Sequence, residues 1–170
     1  SLSLPNLPVT LGQTLPVDCW ISKVIDTKPS RAVVFVCIDE LPLPEEDSIG
    51  SKGNKGTTSR VEAKIVTQLV HVLLKGGLSP EEIGVITPFR SQVQLLKQAM
   101  RDTAQVDVST VDQFQGKEKS AVFFSCVKKY AGNSKDTEIL NDQRRLTVAV
   151  SRARHKLIII GSSSTVRKYK

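Results

Sequence analysis

Four arginines crowd one short segment near the carboxyl terminus, at positions 144, 145, 152 and 154. The segment is predicted to be a helix from about residue 142 to 153, with an apolar face formed by Leu146, Ala149, Val150 and Ala153. Guanidinium groups this close repel one another unless anions offset their charge. An arginine inserted into a neighbouring phosphate site stabilises the transition state of phosphoryl transfer. The cluster therefore indicates either such an arginine or a solvated basic helix, and the pattern alone does not decide between them.

A second polar segment, Val108 to Glu118, follows a predicted strand directly. Ser109 and Thr110 could donate hydrogen bonds to phosphate oxygens of a nucleic-acid backbone. Gly116 would let the main chain approach a phosphate closely, and Glu118 could accept a hydrogen bond from a ribose hydroxyl. For any one of these residues alone, an ordinary polar turn is the better interpretation.

A glycine-rich stretch from Gly50 to Gly56 invites comparison with a phosphate-binding loop. Such a loop needs Gly-Lys-Ser/Thr at the start of a helix, directly after a strand. The order here is Lys55-Gly56-Thr57, far from the end of a predicted strand, so a mobile surface loop is the better prediction. Since the sequence has no other candidate phosphate loop, this domain is not expected to assemble a complete nucleotide site.

The net charge of +7 is unevenly distributed. Residues 1–100 are neutral overall, with 10 basic and 10 acidic side chains, whereas residues 101–170 hold 14 basic against 7 acidic. This asymmetry indicates either a polyanionic partner or a solvated basic surface, with equal weight.

The composition excludes several other classes of protein. The three cysteines are predicted to be free thiols, with Cys37 and Cys126 in the core, and no metal site is expected because neither histidine has a partner at ligand spacing. No apolar run is long enough to span a bilayer, and the start of the sequence does not have the pattern expected of a secretory signal. The abrupt ends indicate a piece of a longer protein.

Predicted strands alternate with predicted helices along the chain. The strands are expected at 32–38, 83–87, 106–110, 121–127 and 156–161, and the main helices at 60–75, 92–100 and 142–153. Because several strands are apolar throughout, the sequence predicts an α/β domain with a mainly parallel sheet covered on both faces. Ligands in such folds bind at the carboxyl ends of the strands. Here these ends are Thr87, Thr110 and Val127, so the residues directly after them are candidate binding positions. Residues 1–31 are predicted to be an irregular lead-in, and residues 32–170 the domain.

Three segments of the sequence together resemble a known family. They are Gly84 to Gln92, Ser109 to Glu118 and Arg144 to Arg154, and they are similar to motifs IV, V and VI of superfamily 1B helicases, in the family's order and spacing. The resemblance covers roughly residues 32–165 and implies the second RecA-like motor lobe, a P-loop NTPase-type fold. The sequence after His155 and the connector from Leu41 to Glu46 look most like the DNA helicase/nuclease branch, while RNA-directed relatives share the same motifs.

The resemblance implies a role for individual residues in ATP binding and hydrolysis. Arg152 matches the catalytic arginine finger, and Arg60 matches a second arginine that contacts the γ-phosphate. Gly116 and Glu118 match positions near the γ-phosphate and the ribose. The family's usual Asn and Thr are replaced by Thr147 and Ser151. Both replacements keep a hydrogen-bonding group.

Other matching positions imply contact with nucleic acid. Thr110 matches a contact to the backbone of the bound strand, and Thr87 and Arg90 lie in motif IV, near the strand or the interface between lobes. The expected cofactor is ATP with Mg²⁺, bound mainly by a first RecA-like lobe that the sequence does not contain. The expected partners are that lobe and single-stranded DNA, with no membrane.

Two alternatives to a DNA helicase lobe remain open at this point. One is the lobe of an RNA helicase of the same superfamily, and the other is a nucleic-acid-binding module that does not hydrolyse ATP. The isolated chain is expected to be inactive, because it lacks the motifs that bind the triphosphate and magnesium. The resemblance also implies nuclear residence, with mitochondrial residence as the alternative.

Overall fold

The computed structural model describes residues 20–41, 58–127, 147–148 and 150–163. The predictions for the loop from Gly50 to Gly56, for Cys19, and for Arg144 and Arg145 lie outside these residues.

The core of the described chain is a five-stranded sheet. Its strands run in the spatial order β1-β5-β4-β2-β3, and every neighbouring pair is parallel. The strands are β1 (Val33–Cys37), β2 (Ile83–Thr87), β3 (Asp107–Thr110), β4 (Lys119–Ser125) and β5 (Ala153–Gly161). The predicted α/β class with a parallel sheet is therefore confirmed.

Helices α1 (Trp20–Val24), α2 (Arg60–Lys75) and α3 (Arg90–Ala99) contribute to the main hydrophobic core on one face of the sheet. Ser59 is the N-cap of helix α2: its side chain accepts a hydrogen bond from the Glu62 backbone N–H, so the first turn is capped. Its buried positions recur at helical spacing and pack against β4 and β5. The helix ends at Lys75, and Gly77 follows with a φ of +98°.

The opposite face of the sheet carries a second, smaller core. The turn that follows β3 supplies Val111 and Phe114 to this core, and Val148 packs against it from the segment before β5. Elements therefore pack on both faces of the sheet, as the sequence predicts.

Strand β1 differs from its prediction as a strand buried on both faces. It is an edge strand of the described sheet, and only one of its faces packs against the core. Val33 and Phe35 point the other way and are 59% and 40% exposed. Cys37 lies on the same exposed side, so the prediction that it is a core cysteine is wrong, whereas Cys126 is buried as predicted.

Strand β5 begins earlier than its sequence predicts. Ala153 was expected on the apolar face of the preceding helix, but it pairs with Lys119 as the first residue of β5. Residues 147, 148, 150 and 151 are helical. The Lys119 backbone N–H donates a hydrogen bond to the Arg152 carbonyl at 3.0 Å. This bond extends the pairing of β5 with β4 toward the amino ends of both strands, so β5 starts early.

The described part of the predicted lead-in packs against the domain. Val24 and Ile25 are buried in the main core. Lys156 of β5 is buried as well, and its ammonium donates to the carbonyl oxygens of Asp26 at 2.8 Å and Arg31 at 2.5 Å. These contacts join residues 24–31 to the sheet. Among the described residues, no helix is both long and apolar enough to cross a membrane.

Candidate functional sites at the two ends of the sheet

Gly116, Glu118 and Arg152 lie near one another at the amino end of the sheet. Lys119 and Ala153 are paired at the start of β4 and β5, and Glu118 and Arg152 directly precede them. Since neighbouring strands are about 5 Å apart, the backbones of Glu118 and Arg152 are close neighbours. Glu118 and Gly116 are exposed, and Gly116 has a φ of +82°. These three of the four predicted ATP-binding residues thus form one surface.

The guanidinium of Arg152 has a different environment from that of Arg154. Arg154 donates to the Glu82 carboxylate at 2.6 Å, and Glu82 also accepts a hydrogen bond from the Ser120 hydroxyl. Hydrogen bonding to Ser120 is the main reason why the pKa of Glu82 is lowered, and Arg154 adds to the effect. Arg152 instead donates to the Ser151 hydroxyl, at 3.1 Å from Nη2 and 3.3 Å from Nε. Among the described side chains, no carboxylate pairs with Arg152.

The segment that carries Gly116 and Glu118 is held by Phe114. The Phe114 ring is fully buried, and the Phe114 backbone N–H donates to the Thr110 carbonyl at 3.0 Å. The ring packs directly on Gly84 of β2, where a Cβ atom would lie 2.5 Å from the Phe114 Cζ. A side chain at position 84 would therefore displace the ring.

The residues predicted to bind nucleic acid lie at the carboxyl end of the sheet. Thr87 and Thr110 are paired at the ends of β2 and β3, and Arg90 opens helix α3 just beyond. Arg90 is exposed and Thr110 is 8% exposed. Thr87 is fully buried, and its hydroxyl lies 3.5 Å from the Phe89 backbone N–H, so it supports the turn into α3 and is not accessible to a phosphate.

Ser109 also differs from its prediction as a phosphate contact. Its partner in the ladder is Ile86, which belongs to the smaller core, so the Ser109 side chain faces that core. The residue is 7% exposed, and its hydroxyl oxygen has no hydrogen-bond partner among the described residues. The period-two alternation of a strand places Thr110 on the other face, toward α3.

Arg60 lies at the other end of the sheet from Gly116, Glu118 and Arg152. It is the first residue of α2, and the preceding residue, Ser59, is bound to Gln92 in the first turn of α3. Gln92 in turn donates to Ser125 at the carboxyl end of β4. Arg152 directly precedes β5, beside the amino end of β4, and β4 is about 20 Å long at 3.3 Å per residue. That Arg60 and Arg152 contact the same phosphate stays a prediction.

A buried polar cluster at the carboxyl end was not predicted from the sequence. The Glu62 carboxylate is fully buried and accepts hydrogen bonds from the Ser125 hydroxyl at 2.7 Å and the Val127 backbone N–H at 2.9 Å. Val127 has a φ of +57°, an unfavourable backbone conformation for a β-branched residue. The available signal was that Glu62 falls on the same helical stripe as Ile65, where an apolar residue is expected.

The described residues form no cluster of three or more His, Cys, Asp or Glu side chains that could hold a metal ion. His71 pairs with the exposed carboxylate of Asp102 at 2.9 Å.

Comparison with known proteins assigns the family. A family profile described as an AAA domain matches residues 13–164. The chain belongs to this family. The matched range includes every helix and strand described above, from α1 to β5.

Relatives of this AAA domain have informative names. The chain is 35% identical to mouse "DNA replication ATP-dependent helicase/nuclease DNA2", across 99% of the chain and 16% of that protein. It is 36% identical to the human protein of the same name, across 88% of the chain and 14% of the relative. The relative from Saccharomyces cerevisiae is 35% identical, across 86% of the chain and 9% of its own length.

These matches confirm the resemblance to the superfamily 1B helicase lobe and its helicase/nuclease branch. The chain spans less than a fifth of the length of the relatives that it matches.

Proposed function

We propose that the chain is the second motor lobe of an ATP-dependent DNA helicase, and that it completes an ATP site whose phosphate loop lies on a first lobe. The proposal rests on the family and on one geometric observation. Arg152 and Glu118 lie side by side at the amino end of β4 and β5, and Arg152 pairs with no carboxylate among the described residues.

The contrast with Arg154 supports Arg152 as the arginine finger. Both side chains belong to the same short basic segment, but Arg154 forms an ion pair with Glu82, which directly precedes β2. Arg152 is only partly buried, and within the described part of the chain its guanidinium donates to one neutral hydroxyl, that of Ser151. A guanidinium bound in this way can exchange its partner for a phosphate at little electrostatic cost. Ser151 would orient it until the lobes close.

The remaining residues of this surface would bind and orient the nucleotide. Glu118 would accept a hydrogen bond from the ribose hydroxyl, and the exposed backbone at Gly116 allows a close approach of the phosphates. The Glu118 carboxylate is assigned to the ribose, and ATP with Mg²⁺ would be held mainly by the first lobe.

The single strand would bind at the opposite end of the sheet. Arg90 is exposed there, beside the end of β3 at Thr110. Because the nucleotide surface and this end are joined by residues 111–118, closure of the lobes on ATP would move the strand-binding end as well. We assign DNA as the substrate from the names of the relatives, and a single strand from the resemblance to the helicase motifs. From the same resemblance we propose nuclear residence, with mitochondrial residence as the alternative.

Substitution of the proposed finger tests the function. In the full-length enzyme, Arg152→Ala is expected to lower kcat for ATP by at least about a hundredfold, with a smaller effect on nucleotide affinity. Arg154→Ala is the matched control, because it removes a guanidinium two positions away whose exposed ion pair is worth no more than about 1 kcal/mol. Steady-state ATPase assays at saturating single strand measure both.

Two outcomes would contradict the proposal. Near-normal turnover by the Arg152 variant would exclude the arginine finger, and robust ATP hydrolysis by the isolated chain would exclude the half-site. Comparing DNA with RNA as stimulator of the ATPase separates a DNA helicase from an RNA helicase, since the 2′-hydroxyl is their physical difference.

A further inference from the structure

Arg152 lies at the junction between a helical segment and β5. Residues 147, 148, 150 and 151 are helical, and β5 begins at Ala153, so Arg152 forms the turn between them. Its carbonyl accepts a hydrogen bond from the Lys119 backbone N–H at 3.0 Å, which fixes the main chain of Arg152 to the start of β4. The position of the guanidinium then depends on the rotamer of a long side chain, and holding such a side chain in one rotamer costs conformational entropy.

The Ser151 hydroxyl holds that rotamer. Its oxygen accepts hydrogen bonds from Arg152 at 3.1 Å from Nη2 and 3.3 Å from Nε, which lie on one edge of the guanidinium. The hydroxyl hydrogen is donated to the Val148 carbonyl at 3.0 Å. Because a hydroxyl has a single hydrogen, this bond leaves only the lone pairs of the oxygen for the guanidinium. Val148 packs against the smaller core, so a continuous path of contacts runs from that core through Ser151 to the guanidinium.

A second edge of the Arg152 guanidinium is left for another ligand. Within the described part of the chain, the guanidinium donates only through Nε and Nη2. Each terminal nitrogen carries two hydrogens, so Nη1 and the outer hydrogen of Nη2 still form a complete donor edge. A guanidinium binds a phosphate most strongly through two parallel N–H···O bonds from one edge. Arg152 can therefore bind two phosphate oxygens through its Nη1–Nη2 edge without first leaving Ser151.

We propose that Ser151 is a positioning residue for the arginine finger: its hydroxyl, anchored on Val148, orients the Arg152 guanidinium so that the Nη1–Nη2 edge is presented to the γ-phosphate. The inference rests on the proposed function, because it takes Arg152 as the finger. A guanidinium that is oriented before the lobes close loses less conformational entropy when they close. Its charge then stabilises the transition state without reorganisation. Loss of the Ser151 hydroxyl should therefore lower kcat and leave the affinity for ATP nearly unchanged.

The test is the steady-state ATPase of the full-length enzyme at saturating single strand, for the wild type, Ser151→Ala and Ser151→Thr. Ser151→Ala is expected to lower kcat about tenfold, which is less than the loss for Arg152→Ala, and to leave the KM for ATP within about twofold. Ser151→Thr keeps the hydroxyl and is expected to retain at least about half of the wild-type kcat. Because Ser151 is exposed and alanine is a good helix former, thermal unfolding of the full-length enzyme should not change.

Ser79→Ala is the matched control, because it makes the same change at another exposed serine, shortly before β2 and so at the same end of the sheet. The Ser79 hydroxyl donates to the Glu81 carboxylate at 2.8 Å, and its loss is expected to leave kcat unchanged. The double variant Ser151→Ala, Arg152→Ala isolates the path of the effect. Since Ser151 acts through Arg152, this variant should be no slower than Arg152→Ala alone.

Three results would overturn the positioning role. They are a kcat for Ser151→Ala within about twofold of the wild type, an equal loss of kcat in Ser151→Thr, and a further loss in the double variant beyond that of Arg152→Ala. Failure of the proposed function looks different, because Arg152→Ala would then keep its turnover, and both proposals would fall. A hundredfold loss in Arg152→Ala together with a normal kcat in Ser151→Ala would overturn the role of Ser151 alone.

Discussion

Gly84→Ala tests how tightly the smaller core holds the nucleotide surface. An alanine Cβ would lie 2.5 Å from the Phe114 Cζ and 2.9 Å from its Cε2. Carbon atoms in contact prefer about 3.5–4.0 Å, so the ring would have to retreat by about 1 Å. Phe114 is fully buried in the smaller core, so the ring can move only if its neighbours in that core move as well. We expect the substitution to lower the free energy of unfolding by about 1–3 kcal/mol.

Urea unfolding of the 170-residue chain measures this loss. The control is Phe114→Leu, which replaces the ring with a smaller side chain. If the clash is with the ring, the double variant should recover at least about 1 kcal/mol relative to the sum of the single losses. A loss below about 0.5 kcal/mol for Gly84→Ala, or simple additivity in the double variant, would refute the argument from the close approach.

Three further predictions follow from buried or titrating groups. Glu62→Ala should lower the free energy of unfolding by about 3 kcal/mol, because the Ser125 hydroxyl and the Val127 N–H lose their acceptor. Glu62→Gln should lower it by less, and urea unfolding of both variants measures the difference. Burial lowers the pKa of Lys156 from 10.5 to about 8, so the unfolded chain binds a proton that the folded chain releases between these values. The free energy of unfolding should therefore rise with pH across that window, by up to about 3 kcal/mol, and Lys156→Met should show no such rise when unfolding is measured at each pH. Iodoacetamide should modify the exposed Cys37 well before the buried Cys126. Burial raises the pKa of the Cys126 thiol, and Glu62 makes a smaller contribution in the same direction. Mass spectrometry of the timed reaction measures the two rates, and equal rates would contradict the prediction.

The sequence predicted the order of strands and helices well because those signals are local. Helix α2 was predicted over its full length, Arg60–Lys75, from its apolar spacing. The apolar run of β1 was misinterpreted, because an unbroken row of β-branched residues shows that a strand forms and does not show how many neighbours cover it. Val33 and Phe35 are exposed for that reason.

The site could be predicted less fully than the fold, because it depends on three-dimensional information. Arg60 begins α2 and Arg152 precedes β5, so they lie at different ends of the sheet, and their assignment to one phosphate stays a prediction of the resemblance. The burial of Thr87 and Ser109 could not be predicted, because it depends on which side chains cover the ends of β2 and β3.

The buried ammonium of Lys156 has a consequence for where the folding unit starts. Its acceptors, the carbonyls of Asp26 and Arg31, both precede the predicted domain boundary at residue 32. A polypeptide beginning at residue 32 would leave that charge inside the protein without either acceptor, a loss of several kcal/mol. The residues from Asp26 to Arg31 are therefore part of the same cooperative unit as β5, about 125 positions later in the chain, and a fragment that keeps both acceptors must start at or before Asp26.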